Sequence, residues 1–405
     1  MVHRQPAPAA VIGLEACVRN PPAVLEGARF GLLMNQASVD GRLRYACDVL
    51  AERFPGRLRA IFSPQHGLWS EQQANMIESP HTRHPVHDVP VYSLYSETRR
   101  PTRQMLDGLD RLVVDLQDVG TRVYTFAWSV SHCLEACAEA GLPVVVLDRP
   151  NPIDGVTVEG PLLEREFESF VGRASIPMRH GLTLGELMRF INVERSIGAD
   201  VHVVPLEGWD RSMLFPDTGR AWVAPSPNLP TWRSALAYPG QVLLEGTNLS
   251  EGRGTTTPFE VCGAPFIDPF RLAAAIERFE LPGVRLRPVR FVPTFDKWAG
   301  RSCGGVFLHV TDPRTFRAYQ TTVSILGAVR SLWPEDFRWS DPPYEYETGR
   351  PPIDFITGSS RLRQAIDKCG ELDPAAIADL CRFDEAAWRR SSDVSWIGPA
   401  GALGS

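Results

Sequence analysis

Apolar positions in the first part of the chain fall into short runs, each ending in polar residues. Residues 29–34 run apolar into Asn35 and Gln36, and 58–62 run into Ser63-Pro64-Gln65-His66-Gly67. A short run spans 89–94, and 106–109 leads into a further run over 111–115. Residues 144–147, three β-branched valines and Leu147, end in Asp148-Arg149-Pro150-Asn151. Runs of this length with such ends predict buried strands. Between them, 43–54 and 126–140 carry helical spacing, the second stopped by Gly141 and Pro143. Strands alternating with helices predict an α/β fold: a mostly parallel sheet with helices on both faces.

The strand ends matter for function. In an open parallel sheet a ligand sits beyond the carboxyl ends of the strands. Polar clusters gather there from separate strands: Asn35-Gln36, Gln65-His66, Asp115 to Asp118 and Asp148 to Asn151. Strands that simply end in polar loops would give the same pattern singly; its recurrence points to a site.

The second half changes character. Residues 225–230 are rich in Pro, Ser and Asn and mark a junction. Beyond it, 238–268 crowd Glu245, Asn248, Glu251, Arg253 and Glu260 among glycines. A strand over 305–310 and an amphipathic helix over 316–332 follow. The boundary is expected near 231, giving residues 1–231 as a Rossmann-like domain without nucleotide and 232–405 as a smaller α+β domain that completes a cleft.

Composition narrows the partner. The chain has 405 residues, 43% hydrophobic and 22% charged, with net charge −6. An acidic balance argues against nucleic acid, which favours a basic face. Apolar runs are strand-sized, so membrane insertion is not expected. Residues 1–10 lack the apolar run of an export signal, which predicts a cytoplasmic protein, or a periplasmic one if a leader has been cut away. Eight cysteines lie scattered with no CxxC pair, which fits reduced thiols. Cys133 and Cys137 would share a helix face, where burial is the plainer reading.

Phosphate loops, dinucleotide fingerprints and HExxH are missing from the sequence, and no strand-to-helix GxSxG elbow is read, so no cofactor is expected. His81, His84 and His87 are evenly spaced, but Pro80 and Pro85 break any helix that would align them, so no metal is expected there either. Carboxylates dominate instead. Hydrolysis of a glycosidic bond uses one carboxylic acid to protonate the leaving oxygen and a second group as base, nucleophile or stabiliser. Glu71, Asp115, Asp118, Glu159, Glu245 and Glu251 all lie in or beside polar loops. Glu159, in Val158-Glu159-Gly160-Pro161, has the apolar, rigid setting that raises a carboxyl pKa, although a structural carboxylate would look the same. Glu71 could equally be a solvated loop charge, and Asp115 and Asp118 could pair with Arg122 or Arg149 to fix the sheet edge. Trp69, Tyr124, Trp128, Trp222 and Trp232 could stack on sugar rings or pack a core.

These stretches resemble a known family. PQHGLWSEQQANMIES (64–79), DLQDVGTRVYTF (115–126), VLDRPNPIDG (146–155), VEGP (158–161) and RHGLTLGEL (179–187) are similar to the N-terminal signatures of the exo-β-N-acetylmuramidases, once known only as a domain of unknown function. PSPNLP (225–230) and YPGQVLLEGTNLSEGRGTTTPFEVCGAPFID (238–268) resemble its second half. The resemblance covers roughly residues 12 to 400. It implies a Rossmann-like domain with a smaller α+β partner, a site between them, and release of N-acetylmuramic acid from the non-reducing ends of peptidoglycan fragments.

There is a departure: many members read PEHG where this chain has Pro64-Gln65-His66-Gly67. Gln65 has no ionisable proton near neutral pH. The working carboxylates are therefore expected to be Glu71 and Glu159, with His66 and Asp115 holding substrate or a water. Gln65, Asp118, Arg122, Tyr124, Arg149, Asn151, Asn228, Glu245, Asn248, Glu251 and Arg253 are expected to bind the sugar, with Arg253 or Arg149 near the lactyl carboxylate. Two readings from other classes stay open: a carbohydrate-binding protein with weak or no catalysis, and an amide or ester hydrolase using the same cleft. Oligomeric state is not legible.

Overall fold

The structure, a computed structural model, describes residues 10–73, 76–368, 373–393 and 396. Residues 1–9, where no export signal is read, and Cys369 lie outside the described residues.

Seven strands form the main sheet: β1 (Phe30–Met34), β2 (Leu58–Ser63), β3 (Thr82–Arg83), β4 (Pro90–Ser93), β5 (Arg111–Asp115), β6 (Val144–Leu147) and β7 (Val201–Val204). Their order is β3-β4-β2-β1-β5-β6-β7. Every neighbouring pair is parallel except β3 and β4, which is antiparallel at the edge. The expected α/β sheet is therefore present.

Alternation along the buried strands sends successive side chains to opposite faces. Phe30, Leu32, Met34, Ile61, Val113 and Val145 join one core with Leu14, Leu50 and Phe54. That face is covered by α1 (Gly13–Arg19) and α2 (Ala46–Arg53). Leu33, Phe62, Leu112, Val114 and Val146 point the other way, into a core with Trp128, Leu134 and Leu187. That face carries α3 (Arg103–Leu106), α4 (Phe126–Ala140) and α5 (Leu184–Glu194). The α4 bounds are those that the spacing predicts, because Gly141 takes the left-handed conformation (φ 66°) that closes the helix. Helix α2 begins later than expected. Leu43 has φ 60°, and the Asp40 carboxylate takes the N–H groups of Arg42 and Arg44, so 40–44 form a turn instead.

The second half opens with α6 (Trp232–Gln241), whose N-cap Thr231 accepts the N–H of Ser234. A three-stranded antiparallel sheet follows, β8 (Val261–Ala264), β9 (Val284–Phe291) and β10 (Cys303–Val310), in the order β8-β10-β9. Helix α7 (Pro269–Glu277) packs on this sheet, α8 (Ala318–Leu332) packs on α6 and α7, and α9 (Pro352–Thr357) packs on residues 242–246. One continuous core runs from Trp128 and Tyr124 of the first half through Tyr238 and Phe259 to Tyr319 and Ile353 of the second. Cys17, Cys47, Cys133, Cys137, Cys262, Cys303 and Cys381 carry free thiols.

Candidate active site

The loop after β2 is strained where it reaches the second half. His66 has φ 75°, unusual for a residue with a side chain, and Gly67 has φ 83°. This turn aims Gln65 and His66 into a narrow pocket between the two halves. Tyr124 and Thr125, Ser226 and Asn228 from the junction, and Tyr238, Glu245, Arg253, Tyr344 and Glu345 from the second half complete it. The junction is held in place by the end of β1: Asn35 Nδ2 donates to the Pro225 carbonyl at 2.7 Å and Gln36 Nε2 to the Ala224 carbonyl at 2.8 Å.

Hydrogen bonds link the pocket polar groups. Thr125 Oγ1 donates to Gln65 Oε1 (2.6 Å), and Gln65 Nε2 donates to Glu345 Oε1 (3.1 Å). The other Glu345 oxygen accepts from the Tyr95 hydroxyl at 2.5 Å. Burial raises the Glu345 pKa and the nearby Glu245 charge adds to it, outweighing the donors from Tyr95 and Gln65. Glu245 accepts from Arg253 Nη2 (2.6 Å) and the Tyr344 hydroxyl (2.8 Å), yet burial still raises its pKa. Glu251 differs: burial would raise it, but Lys297 at 3.0 Å and Arg253 at 3.1 Å hold it low and ionised. His66 Nδ1–H donates to the Gln72 carbonyl at 2.7 Å, which leaves Nε2 to accept from the Ser226 hydroxyl at 3.2 Å. Burial lowers the His66 pKa to about 4, so the ring is neutral near pH 7.

Glu345 also faces the other way. It lines an open groove of about 580 Å³ with Arg99, Phe170, Arg173 and Tyr346. The Arg99 guanidinium lies over the rings of Tyr95 (4.0 Å) and Tyr346 (4.4 Å). Glu345 and Tyr346 occupy a tight turn at φ 45° and 71°, closed by the pairing of Tyr344 with Glu347. Two bulky residues at positive φ cost energy, and such strain concentrates at functional sites. The turn is the partition between pocket and groove.

Comparison with known proteins decides the family. Residues 30–233 match the model for the N-terminal part, and 236–397 that for the C-terminal part, of exo-β-N-acetylmuramidase NamZ. The chain belongs to the NamZ exo-β-N-acetylmuramidase family. It is 45% identical over 355 residues to the peptidoglycan β-N-acetylmuramidase NamZ of Bacillus subtilis (strain 168), an alignment covering 88% of this chain and 84% of that one. Two crystal structures of DUF1343-family proteins from Bacteroides fragilis NCTC 9343 share the fold. One has TM-score 0.87 at 31% identity, covering 97% of this chain and 100% of that one. The other has TM-score 0.73 at 28% identity, covering 96% and 99%.

In this NamZ-family chain the pocket gathers part of the residue set read from the sequence. Gln65, His66, Tyr124, Asn228, Glu245 and Arg253 line it, and Glu251 stands behind Arg253. The remaining residues are held elsewhere. Glu71 is exposed, accepting the Trp69 N–H at 3.2 Å. Glu159 is buried against Arg179 (3.0 Å) and accepts the Tyr319 N–H at 3.1 Å. Arg149 grips Asp115 through two nitrogens, at 2.5 and 2.8 Å, at the end of β5. Asp118 accepts the Gly120 N–H (2.6 Å) beside His180. Arg122 is fully buried and donates to the carbonyls of Pro161, Ile176, Ile356 and Thr357. Asn151 donates to the Leu182 carbonyl, and Asn248 to that of Asp336. Asp118, Arg122, Asn151 and Asn248 thus bind backbone groups, which a strand-end argument cannot tell from ligands. Of the five aromatics singled out in the sequence, only Tyr124 lines the pocket. Trp128 is buried in the core, Trp69 packs on Tyr45 and His84, Trp222 on Phe215, and Trp232 against the core. Sequence reasoning missed Glu345, Tyr344, Tyr95, Thr125 and Ser226. Its one usable signal was Tyr344-Glu345-Tyr346-Glu347 after Pro342-Pro343, acidic residues between rings in a Pro-bounded turn.

Proposed function

We propose that this protein hydrolyses the glycosidic bond of a terminal N-acetylmuramic acid at the non-reducing end of peptidoglycan fragments, with Glu345 as the general acid. Membership of the exo-β-N-acetylmuramidase family supports the reaction. The observation that carries the assignment of Glu345 is its position. It is the buried carboxyl shared by the enclosed pocket and the open groove, where a scissile bond between a terminal sugar and the rest of the chain would cross. An acid there must keep its proton near neutral pH, and burial beside Glu245 favours the protonated form.

Glu245 is the second carboxylate, oriented by Arg253 and Tyr344. Neutral His66 is a positioning residue that fixes Ser226. This reading replaces Glu71 and Glu159 in the catalytic roles expected from sequence. The pocket as it stands has room for about a water or two, so entry of a pyranose ring requires the 344–347 turn to swing toward the groove. The enclosed end of the pocket suits an enzyme that removes one terminal sugar at a time.

The test is incubation with a disaccharide ending in N-acetylmuramic acid, with products weighed by mass spectrometry. The free acid sugar is expected, and an unchanged disaccharide would favour the binding-protein alternative. Glu345→Gln should lower single-turnover release about a hundredfold or more with little change in substrate affinity. A near-normal rate in a folded Glu345→Gln protein would remove Glu345 from the mechanism.

A further inference from the structure

The structure places the histidine-bearing loop, from which the sequence predicted no metal, against the start of α2. His87 Nε2 lies 2.6 Å from Asp48 Oδ1, and Cys47 Sγ lies 3.8 Å from that oxygen. The three donor atoms all fall within 4.8 Å of one another. A fourth group adjoins them: His84 Nε2 is 3.9 Å from Cys47 Sγ, and the rings of His84 and His87 are 4.8 Å apart.

We propose that Cys47, Asp48 and His87 form a site for a borderline-soft divalent cation of the zinc class, with His84 supporting it. The donor chemistry is a sulfur, an imidazole nitrogen and a carboxylate oxygen, the three ligand types that zinc takes. Ligands bound at about 2.0–2.3 Å around one tetrahedral ion stand some 3–4 Å apart, so only small side-chain rotations separate this cluster from a coordinated one. His84 does not fit as a first ligand. Its Nδ1 accepts the N–H groups of Val86 (3.3 Å) and His87 (3.2 Å), so the neutral ring carries its proton on Nε2. That N–H points at Cys47 Sγ and donates to a thiolate, the outer-shell bond that steadies a metal-bound sulfur. Binding expels the thiol proton to solvent and moves the His87 proton to Nδ1, freeing Nε2 for the ion; no electrons move. Cys47 is fully buried, His87 mostly buried and Asp48 exposed, so the cluster is open to solvent on the carboxylate side.

None of these residues lines the catalytic pocket, and the site is structural. It would tie the β3–β4 edge to α2. The Trp69 ring packs on His84 at 5.8 Å, so the tie extends to the loop that bears Gln65 and His66.

The experiment is a titration of chelator-treated full-length protein with cobalt(II), followed by zinc competition and thermal melting. Wild type should develop a thiolate-to-cobalt charge-transfer band that saturates at one equivalent and is bleached by zinc, and zinc should raise its Tm. Cys47→Ser should abolish the band. His87→Ala should weaken cobalt binding about tenfold or more in a protein that still melts in one cooperative transition. His84→Ala should weaken it by about 10–100-fold. A wild-type protein with no band at millimolar cobalt, or a band unchanged in both Cys47→Ser and His87→Ala, overturns the proposal.

Discussion

Gln65 shows how much one atom decides at the residue scale. Its Nε2 donates to Glu345, and its Oε1 is occupied by Thr125, so it works as a spacer with fixed polarity. Gln65→Glu would remove a donor that favours ionised Glu345 and set a second carboxyl beside it. Both changes raise the Glu345 pKa further. An acid acts while protonated and its rate is lost as pH rises through its pKa, so the alkaline limb of kcat should move to higher pH in Gln65→Glu. A full pH–rate profile checks this, and an unmoved or lowered alkaline limb would mean that Glu345 does not limit the reaction. Arg253 is less suited to the lactyl carboxylate than the sequence suggested, because Glu245 and Glu251 already share its guanidinium. Arg99, stacked between two tyrosines at the groove, offers a charge better placed for an anionic part of the substrate.

Among the elements, the crossing of α6 and α8 sets the geometry of the second half. A Cβ at Gly240 would stand 1.9 Å from the Ala318 carbonyl oxygen, which belongs to backbone and cannot rotate away. Gly240→Ala should therefore destabilise the fold by about 1–3 kcal/mol or more through overpacking, read as a lower denaturant midpoint at unchanged m-value. Helix α6 leads directly into the segment that carries Glu245, so the same substitution should also lower activity at temperatures where the protein remains folded. Little change in the midpoint would show that the two helices can slide apart. The parallel strands other than β7 were legible because each is a short apolar run between polar ends; β7, interrupted by His202 and only partly buried, was not. Strands β8 and β9 were not, since β9 alternates Arg with apolar residues and takes its meaning only from pairing with β10. The two-residue β3 carries no run at all.

At the scale of the whole molecule, the site lies on a seam between the halves that is itself core. Tyr124 packs edge-on to Tyr238 (6.2 Å), and Tyr238 to Phe259 (4.9 Å), while the Arg253 guanidinium lies 5.3 Å from the Phe259 ring centroid. Arg122 adds hydrogen bonds from the first half to the carbonyls of Ile356 and Thr357. An apolar seam of this kind makes the halves one cooperative unit. Calorimetry should show a single unfolding transition, and two resolved transitions would mean that the seam is weaker than its packing. Among the described residues no helix is long and apolar enough to cross a membrane.

The sequence by itself determined what depends on neighbours along the chain: the alternation of strand and helix, the stop of α4 at Gly141, the family motifs, and the strand-end turn that carries Gln65 and His66. These follow from local propensity and periodicity. Tertiary structure alone decided which polar residues work together. Glu159, Asp115 and Arg149 read from sequence like a site, yet Asp115 and Arg149 grip each other and Glu159 is held by Arg179 and the Tyr319 N–H. Glu345 meets Gln65 across 280 residues, and Cys47 meets His84 across 37. The environment of a carboxyl or an imidazole, whether solvent, a cation or another acid, is set by packing over such separations, and no local pattern encodes it.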